Sequence, residues 1–425
     1  MASASLWLYR VLMAGLVPVA IPALKVRDRL AGKNRPRFRD RLARDLPELP
    51  PGGIWLQAVS VGEVELARRL VAEIQNCGPE IPLVLSATTA TGLDLAQRTL
   101  GGTLPVIPCP LDLPRPVTRV LETARPRAVV LVETELWPEL LHQSACRGIP
   151  VAVVNARLSE GSFARYHRVA GLLEPLLEPL GLVLARTQAD AERFASLGVA
   201  AERITVSGNV KYDLEADQRP LEWADSVLRA AGGRPILVAG STMEGEEAQV
   251  LDALAGLSAS GGAPFLILAP RHPERFDAVA QLLTERGLVF TRRRSGKAAP
   301  DGADAFLIDT IGELARAYQL AAVAFIGGSL VPTGGHNPLE PAVWGVPVLS
   351  GPHVHNFREV YDEMTTSGGA RLVGDRGELM AAAAAWLDEP ELAKAAGAAG
   401  REVVARNRGA TARTASALLK LIGEA

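Results

Sequence analysis

The stretch VPTGGHNPLEPA, residues 331–342, sets two glycines, a histidine and an asparagine directly before Pro-Leu-Glu-Pro. The apolar run before it, residues 321–330, has the length of a buried strand. Pro338 suits the first turn of a helix and Asn337 the cap before it. A strand, glycine loop and helix N-terminus in this order favour a phosphate, because free backbone N–H groups and a positive dipole end face outward. An alternative stays open, since Asn337 and Glu340 have the spacing of a reciprocal capping pair.

Two other segments place carboxylates just beyond apolar runs. In SVGEVELARRL, the run from Ile54 stops at Ser60, and Glu63 opens the following helical pattern. A carboxylate there could act as a general base, although Ser60 and Glu63 also have the spacing of a capping box. In ETELWPEL, Glu133 and Glu135 end another apolar run, where a carboxylate is costly unless solvated or partnered.

The segment PRHPERF places cationic groups at the end of another apolar run. Arg271 and His272 follow the apolar residues 265–270 and precede Pro273. A guanidinium at a strand end suits a phosphate. A surface turn between the two prolines is an equally good interpretation of this segment.

Apolar runs alternate with helical patterns from Ile54 onward. The runs are residues 54–59, 82–87, 128–133, 151–156 and 181–186 in the first half, and 235–240, 265–270 and 323–328 in the second. They are continuously apolar, as expected for parallel sheets covered on both faces. We therefore predict two doubly wound α/β domains joined within residues 210–234, with ligands bound beyond the carboxyl ends of the strands.

The overall composition fits this organisation. A chain of 425 residues suggests two domains, and a net charge of −2 gives no reason to expect nucleic acid as a partner. Three cysteines, Cys77, Cys109 and Cys146, predict no disulfide framework and have no metal-type spacing. The six histidines form no paired-ligand pattern for zinc.

The N-terminus is polarised. Residues 6–24 are almost wholly apolar, interrupted by Arg10, Pro18 and Pro22, and as a helix would span about 28 Å, close to the ~30 Å of a bilayer core. A dense basic segment follows, from Lys25 to Arg44, which favours a cytoplasmic location for the rest of the chain and contact with anionic lipid. This pattern predicts membrane attachment, either as a full span or as an anchor in the plane of the interface.

Nine motifs occur in order along the chain and together carry a family resemblance. They are QAVSVGEV, TTATG, ETELWPELL, RGIPVAVVNARLS, GNVKYD, AGSTMEGEE, PRHPERF, DTIGEL and GGSLVPTGGHNPLEPAVWGVPVLSGP. With the apolar N-terminus, the chain resembles the 3-deoxy-D-manno-octulosonic acid (Kdo) transferases of lipopolysaccharide synthesis. The resemblance covers residues 6–359.

The resemblance implies an α/β fold of the GT-B type, with two doubly wound Rossmann-like domains facing a cleft and an N-terminal membrane anchor. It places the anchor at residues 1–24, an acceptor-binding domain at 25–215, and a CMP-Kdo-binding domain with C-terminal helices at 216–425. The enzyme would be an inverting glycosyltransferase at the cell inner membrane, with its catalytic domains on the cytoplasmic side. Its partners would be inner-membrane lipids, the donor CMP-Kdo and the lipid A precursor (lipid IV-A) as acceptor. No metal or cofactor is implied.

The family's functional residues carry over where the motifs match. Glu63 resembles the general base that takes the proton of the acceptor hydroxyl, while Glu133 and Lys211 match positions that stabilise the transition state. Donor contacts match Pro270, Arg271, Ile311, Gly312, Glu313, Asn337, Pro338, Leu339 and Glu340. One departure is Met243, where family sequences often carry histidine in this motif.

Three alternatives stay open. One is another GT-B transferase that uses a UDP-sugar and a lipid acceptor. The second is a sugar-nucleotide 2-epimerase, against which the apolar N-terminus argues, because an epimerase should be soluble. The third is a binding protein that keeps the fold without catalysis. Competition by CMP rather than UDP would separate the predicted enzyme from its UDP-dependent rivals.

Overall fold

The structure is a computed structural model that describes residues 4–13, 15, 39–134, 136–259 and 263–423, with the backbone alone at 258 and 259. The chain divides into two compact units. Unit 1 comprises Met1–Asp213 and Arg408–Ala425, and unit 2 comprises Leu214–Asn407. The division near residue 213 is close to the predicted boundary at 215.

Unit 1 is built on a parallel sheet with strand order β3-β2-β1-β4-β5-β6-β7. The strands are β1 (Ile54–Ala58), β2 (Leu83–Ala87), β3 (Val106–Pro108), β4 (Ala128–Val132), β5 (Val151–Ala156), β6 (Leu180–Ala185) and β7 (Ile204–Val206). The helices are α1 (residues 4–13), α2 (Val61–Cys77), α3 (Ala90–Leu100), α4 (Pro114–Ala124), α5 (Pro138–Cys146), α6 (Glu160–His167), α7 (Ala170–Leu177), α8 (Gln188–Ser196) and, from the C-terminus, α17 (Ala410–Leu421).

Unit 2 has a second parallel sheet, with strand order β10-β11-β9-β8-β12-β13-β14. Its strands are β8 (Ile236–Thr242), β9 (Phe265–Pro270), β10 (Phe290–Arg292), β11 (Ala305–Leu307), β12 (Val323–Ile326), β13 (Val348–Ser350) and β14 (Ala370–Leu372). Its helices are α9 (Ala224–Ala231), α10 (Glu246–Ala259), α11 (Phe276–Glu285), α12 (Leu314–Ala317), α13 (Leu339–Ala342), α14 (Arg358–Thr366), α15 (Arg376–Asp388) and α16 (Pro390–Asn407).

The doubly wound α/β fold is confirmed in both units. Each predicted apolar run overlaps a strand, and these strands are largely buried because helices cover both faces of each sheet. In β1, Leu56 packs into the core on one face and Trp55 into the core on the other. The strands β3, β7, β10, β11, β13 and β14 were not predicted, because three residues are too few to give a recognisable run.

The last helix, α17, packs with unit 1, whereas the sequence interpretation placed it in the second domain. Its Leu418 and Leu419 join the core formed by α2. The carboxylate of Asp213 accepts hydrogen bonds from the backbone N–H groups of Gly409 and Thr411 at the start of α17. An alanine-rich helix carries no sequence signal for the sheet that it covers, which is why the difference arose.

The described part of the N-terminus is α1, which lies against unit 1. The guanidinium of Arg10 donates two hydrogen bonds to Glu139, at 2.7 and 2.8 Å, and the hydroxyl of Tyr9 donates one to Asp112 at 2.7 Å. Burial raises the pKa of Asp112 to about 6, and Leu6 is buried beside these pairs. In the described part of the chain, no helix is both long and apolar enough to cross a membrane. The rest of the predicted anchor and most of the basic segment, residues 16–38, lie outside the described residues.

Candidate active site

The switch point of the unit 1 sheet lies between β1 and β4, where the strand order reverses direction along the chain. A crevice forms beyond the carboxyl ends of such strands, since the connections on either side lead to opposite faces of the sheet. Glu63 follows β1 and Glu133 follows β4. The two glutamates singled out from the sequence therefore follow the two strands that flank the switch point.

Glu63 takes part in the N-terminal cap of α2. The hydroxyl of Ser60 accepts from the backbone N–H of Glu63 at 3.4 Å, while the Glu63 carboxylate accepts from that hydroxyl at 2.9 Å and from the backbone N–H of Val59 at 2.7 Å. The reciprocal cap between Ser60 and Glu63 that the spacing predicted is thus present, with the carboxylate also on the N–H of Val59. A carboxylate offers about four acceptor positions, so this capping role is compatible with a second role toward a substrate hydroxyl.

Glu133 has a backbone conformation that side chains rarely adopt. Its φ is +64°, and its N–H donates to the carbonyl of Val154 on β5 at 2.9 Å. Asn155, at the end of β5, also has a positive φ, +50°. Strained non-glycine residues cluster at functional sites, so two of them on neighbouring strands mark this edge of the sheet. Glu135 lies outside the described residues.

Cationic side chains follow the next three strands of the same edge. Arg157 follows β5, Arg186 follows β6 and Lys211 lies beyond β7. Hydrogen bonds hold these ends together: the N–H of Arg186 donates to the carbonyl of Ala156 at 3.1 Å, and the N–H of Val210 donates to Oδ1 of Asn155 at 3.1 Å.

The electrostatics couple these cations to Glu133. Burial lowers the pKa of Lys211, the Glu133 carboxylate opposes this effect, and the guanidinium groups of Arg186 and Arg157 reinforce it. Burial likewise lowers the pKa of Arg186 to about 10, and Glu133 again opposes the effect. The structure therefore brings Glu133 and Lys211, which were predicted to act together, into one charged cluster. It adds Arg157 and Arg186, which were not predicted.

The switch point of unit 2 lies between β8 and β12. Near the end of β8, Ser241 has a φ of +55° and the register with β9 shifts by one residue. The N–H of Arg271, directly after β9, donates to the carbonyl of Thr242 at 2.9 Å. This bond ties the predicted donor residues Pro270 and Arg271 to the end of β8.

The helix after the glycine loop begins one residue later than predicted, at Leu339 rather than at Pro338. The side chain of Asn337 accepts from the N–H of Leu339 at 3.1 Å, and α13 begins at Leu339, so the cap interaction involves Leu339. The preceding glycines are closed into a turn by the side-chain amide of Asn356, which donates to the carbonyls of Thr333 and Gly335.

His336 lies between this turn and Arg271. Burial, together with a smaller effect of the nearby Arg271 and His272, lowers the pKa of His336 to about 4. Its imidazole is therefore neutral at pH 7. Among the described residues, no group forms a hydrogen bond with its buried Nε2. A buried ring nitrogen of this kind, beside the cationic Arg271, is suited to a bound polar group.

The residues 311–313 form a loop tip in which Ile311 is exposed and hydrogen bonds fix the carboxylate of Glu313. Ile311 is 70% exposed, Gly312 has a φ of +90°, and the Glu313 carboxylate accepts hydrogen bonds from Trp223, Arg293 and Thr310. Burial acts to raise the pKa of Glu313, but these hydrogen bonds outweigh it and lower the pKa.

This tip lies beside the segment of Asn337 to Glu340. The indole N–H of Trp344 donates to the carbonyl of Ala315 at 2.8 Å, and the phenol of Tyr318 is buried within electrostatic reach of Glu340. Unit 2 therefore links two groups of predicted donor residues through α12 and Tyr318. Among the described residues, no group of three His, Cys, Asp or Glu side chains is arranged to hold a metal ion.

Comparison with known proteins decides the family. The family model for 3-deoxy-D-manno-octulosonic-acid transferases matches residues 29–214. The 3-deoxy-D-manno-octulosonic acid transferase of Haemophilus influenzae is 35% identical over 414 residues, which are 96% of this chain and 97% of that protein. This chain belongs to the Kdo transferase family. The Kdo transferase of Bordetella pertussis is 34% identical over 98% of this chain and 99% of its own length. The protein is therefore a glycosyltransferase.

A solved structure of different activity shares the fold of this family member. The UDP-GlcNAc 2-epimerase from Neisseria meningitidis bound to UDP-GlcNAc is 14% identical and covers 87% of this chain and 100% of its own, with a TM-score of 0.59. At this identity the likeness shows the fold alone, which is the two-domain α/β arrangement of the GT-B type.

Several residues at the carboxyl edges of the two sheets were not predicted from the sequence, and the reasons differ. Arg157 directly follows the predicted run 151–156 and Arg186 ends the run 181–186, so their positions at strand ends were visible in the sequence. His336 was noted in its stretch without a role. Glu246 and Glu247, described below, lie in the motif AGSTMEGEE but were given no role, because most of their partners lie far away in the sequence.

Proposed function

We propose that this transferase moves Kdo from CMP-Kdo to the lipid A precursor (lipid IV-A) in the synthesis of the lipopolysaccharide core and releases CMP. The family assignment supports Kdo transfer. The observation that best supports the chemistry is the cluster of Glu133 with Arg186 and Lys211 at the switch-point edge of unit 1. Kdo is an acidic sugar and its leaving group is a phosphate, so buried cations beside a carboxylate suit both parts of the donor.

The proposed reaction is one displacement with inversion. An acceptor hydroxyl oxygen bonds to the anomeric carbon of Kdo, the bond from that carbon to the phosphate oxygen breaks, and CMP leaves with the electron pair. Glu63 takes the hydroxyl proton. The Glu133 carboxylate faces the positive charge that develops on the sugar, and Lys211 faces an oxyanion of the donor. Unit 2 binds CMP through Arg271, the tip at residues 311–313, and Asn337 to Glu340.

The Glu63→Gln variant tests this assignment, with Glu65→Gln as the matched control. Glutamine can serve a capping box but cannot accept a proton. We expect transfer of labelled Kdo from CMP-Kdo to fall by about 10²–10⁴ in the first variant. Glu65, exposed two residues along α2 and paired with Arg68, should be replaceable without effect. Equal transfer by wild type and Glu63→Gln would leave Glu63 a purely structural cap.

Nucleotide competition tests the donor. CMP should displace CMP-Kdo, and UDP should not. If UDP competed and CMP did not, the alternative of a UDP-sugar transferase would replace this proposal. The fold shared with the Neisseria epimerase is compatible with either nucleotide, which makes the competition decisive.

We also propose that the protein lies at the cell inner membrane with both units on the cytoplasmic side. The support comes from α1, which Arg10 and Tyr9 hold on unit 1 while Trp7 and Leu12 are 64% and 53% exposed. Apolar side chains exposed together on a docked helix suit an acyl-chain boundary. The basic residues that follow α1 in the sequence suit anionic lipid.

Vesicle sedimentation tests this location. The double variant Trp7→Ser, Leu12→Ser should bind vesicles containing phosphatidylglycerol more weakly than wild type. The control is Leu228→Ser, because Leu228 is 49% exposed on unit 2. Equal loss of binding in the control, or no loss in the double variant, would contradict the role of α1.

A further inference from the structure

Two adjacent carboxylates at the start of α10 are buried and have no assigned role. Glu246 is 0% exposed and Glu247 is 1% exposed. Ionised carboxylates are retained in protein interiors only when hydrogen bonds or cations compensate for lost hydration. Their partners therefore indicate what these two side chains hold in place.

Glu246 occupies a turn of converging backbone N–H groups. Within the described residues it accepts from the N–H groups of Gly328 at 2.6 Å and of Ser329, Leu330 and Met243 at 2.8 Å each. Successive N–H groups in such a turn form an anion-binding concavity, and here an internal carboxylate fills it. A Cβ on Gly327 would lie 2.8 Å from Oε2 of Glu246, so the loop approaches as closely as glycine allows.

The loop that Glu246 holds leads directly into the proposed nucleotide site. The N–H of Gly335 donates to the carbonyl of Gly328 at 2.7 Å, and the N–H of His336 donates to the carbonyl of Gly327 at 3.2 Å. Asn337 is the next residue. The position of Asn337 therefore depends on the loop that Glu246 fixes.

Glu247 holds the other donor segment. It accepts from the guanidinium of Arg275 at 2.6 and 3.2 Å and from the hydroxyl of Thr242 at 2.9 Å. The carbonyl of Thr242 in turn accepts from the N–H of Arg271 at 2.9 Å. Arg275 lies in the turn that follows Arg271 and His272. Glu247 therefore fixes both ends of the segment that carries Arg271.

We propose that Glu246 and Glu247 are positioning residues for the donor nucleotide: the hydrogen bonds of one fix the segment that leads to Asn337, and those of the other fix the segment of Arg271. Neither side chain needs to touch CMP-Kdo. Because they are neighbours on one helix turn, they set the geometry of the two segments relative to each other. The inference rests on the proposed donor site and assigns the residues that shape it.

The test uses the full-length variants Glu246→Gln and Glu247→Gln, with the exposed neighbour Glu244→Gln as control. A glutamine amide puts a donor against backbone N–H groups or against Arg275, so the held segment shifts. Displaced binding groups can cost up to roughly 10² in function. We expect the Kd for CMP, measured by calorimetry, and the KM for CMP-Kdo to rise at least tenfold, while the KM for the acceptor stays unchanged. The control should match wild type.

Two further variants separate positioning from folding. In Glu246→Ala the turn of N–H groups is left open, and added formate should lower the Kd for CMP toward the wild-type value because it can occupy the turn. Thr242→Val is nearly isosteric and removes only the hydroxyl that bonds Glu247. It should fold normally and raise the Kd for CMP by about threefold or more, the effect of one net hydrogen bond.

The proposal is overturned if folded Glu246→Gln and Glu247→Gln bind CMP with the wild-type Kd and differ only in the yield of folded protein. It is also overturned if Thr242→Val binds CMP as wild type does. If wild type binds CMP but transfers no Kdo, the proposed function fails, while the Kd values of the variants still decide the positioning role. If wild type does not bind CMP, both proposals fail.

Discussion

The carboxyl edges of the two sheets present different kinds of chemical group. At the edge of unit 1, charged side chains gather: Glu133, Arg157, Arg186 and Lys211 follow neighbouring strands, and burial together with mutual repulsion shifts the pKa of the cations. At the edge of unit 2, backbone groups and glycine loops dominate. There the buried carboxylate of Glu246 accepts hydrogen bonds from the loop after β12 and holds it in place.

The difference is consistent with separate roles for the two edges. Groups that act on developing charge need a preorganised, partly dehydrated setting, and the buried charged side chains at the edge of unit 1 suit this requirement. A ligand that has to be recognised and released is served by loops of fixed shape, which suits unit 2. If this is correct, substitutions at the first edge should lower kcat, and substitutions at the second edge should raise the KM for the donor.

After Glu63→Gln, the largest effect is expected for Glu133→Gln. It removes the negative charge from the cluster while keeping the size of the side chain, so we expect kcat to fall by about 10²–10³ with little change in the KM for CMP-Kdo. Steady-state kinetics with purified enzyme measure both values. Glu122→Gln, at an exposed position of the same unit, should leave both unchanged.

The strain at Glu133 can be separated from its charge by a second pair of variants. Glu133→Ala and Glu133→Gly both delete the carboxylate, but only glycine adopts a φ of +64° without cost. Glu133→Gly should therefore be about 1 kcal/mol more stable than Glu133→Ala, with equally low kcat. Equal stability of the two would mean that the backbone at this position is not strained. Asn155 would then be the one remaining strained residue that was taken to indicate a functional site at this edge.

A smaller effect is expected at the edge of unit 2, for Gly327→Ala. The new Cβ would lie 2.5 Å from the carbonyl oxygen of Ser241 and 2.8 Å from Oε2 of Glu246, so the loop after β12 must move. We expect a loss of about 1–3 kcal/mol in stability and a higher KM for CMP-Kdo with kcat nearly unchanged.

Gly312→Ala supplies the contrast. Nothing lies within 4 Å of a Cβ built there, and only its φ of +90° opposes the substitution. It should cost backbone strain without displacing the loop after β12. A fall in kcat with unchanged KM in Gly327→Ala would break the proposed division between the two edges.

The fold was predictable from the sequence because parallel strands covered on both faces leave continuous apolar runs. The positions of Glu63 and Glu133 near strand ends were predictable for the same reason, since Glu133 ends such a run and Glu63 lies four residues after one. Arg157 and Arg186 have equally visible positions, but nothing local distinguishes a strand-end arginine in a charged cluster from one in solvent.

The hydrogen bonds at the edge of the unit 2 sheet could not be predicted from short stretches of sequence. Glu246 precedes three of the four N–H groups described above by 82 to 84 residues, so these three come close to it only when β8 and β12 pair in the sheet. In the sequence, Glu246 and Glu247 look like favourable acidic residues in the first turn of a helix. The assignment of α17 to unit 1 was missed for a similar reason, since it depends on tertiary contacts with α2.

The last prediction concerns pH and again contrasts the units. His336 of unit 2 has a pKa lowered from 6.5 to about 4, so between these values the unfolded chain binds more protons than the folded one. The resulting stability is fully present above pH 6.5 and is lost as the pH falls toward 4. Between pH 7 and pH 5 the loss of stability should be about 1–2 kcal/mol, seen as a lower urea midpoint in wild type and a flatter pH dependence in His336→Gln.

The control variant His167→Gln, at an exposed position of unit 1, should keep the wild-type dependence of stability on pH. An unchanged dependence in His336→Gln would show that this imidazole titrates as freely in the folded chain as in the unfolded one, and the edge of unit 2 would then gain a cation in mild acid rather than stay neutral.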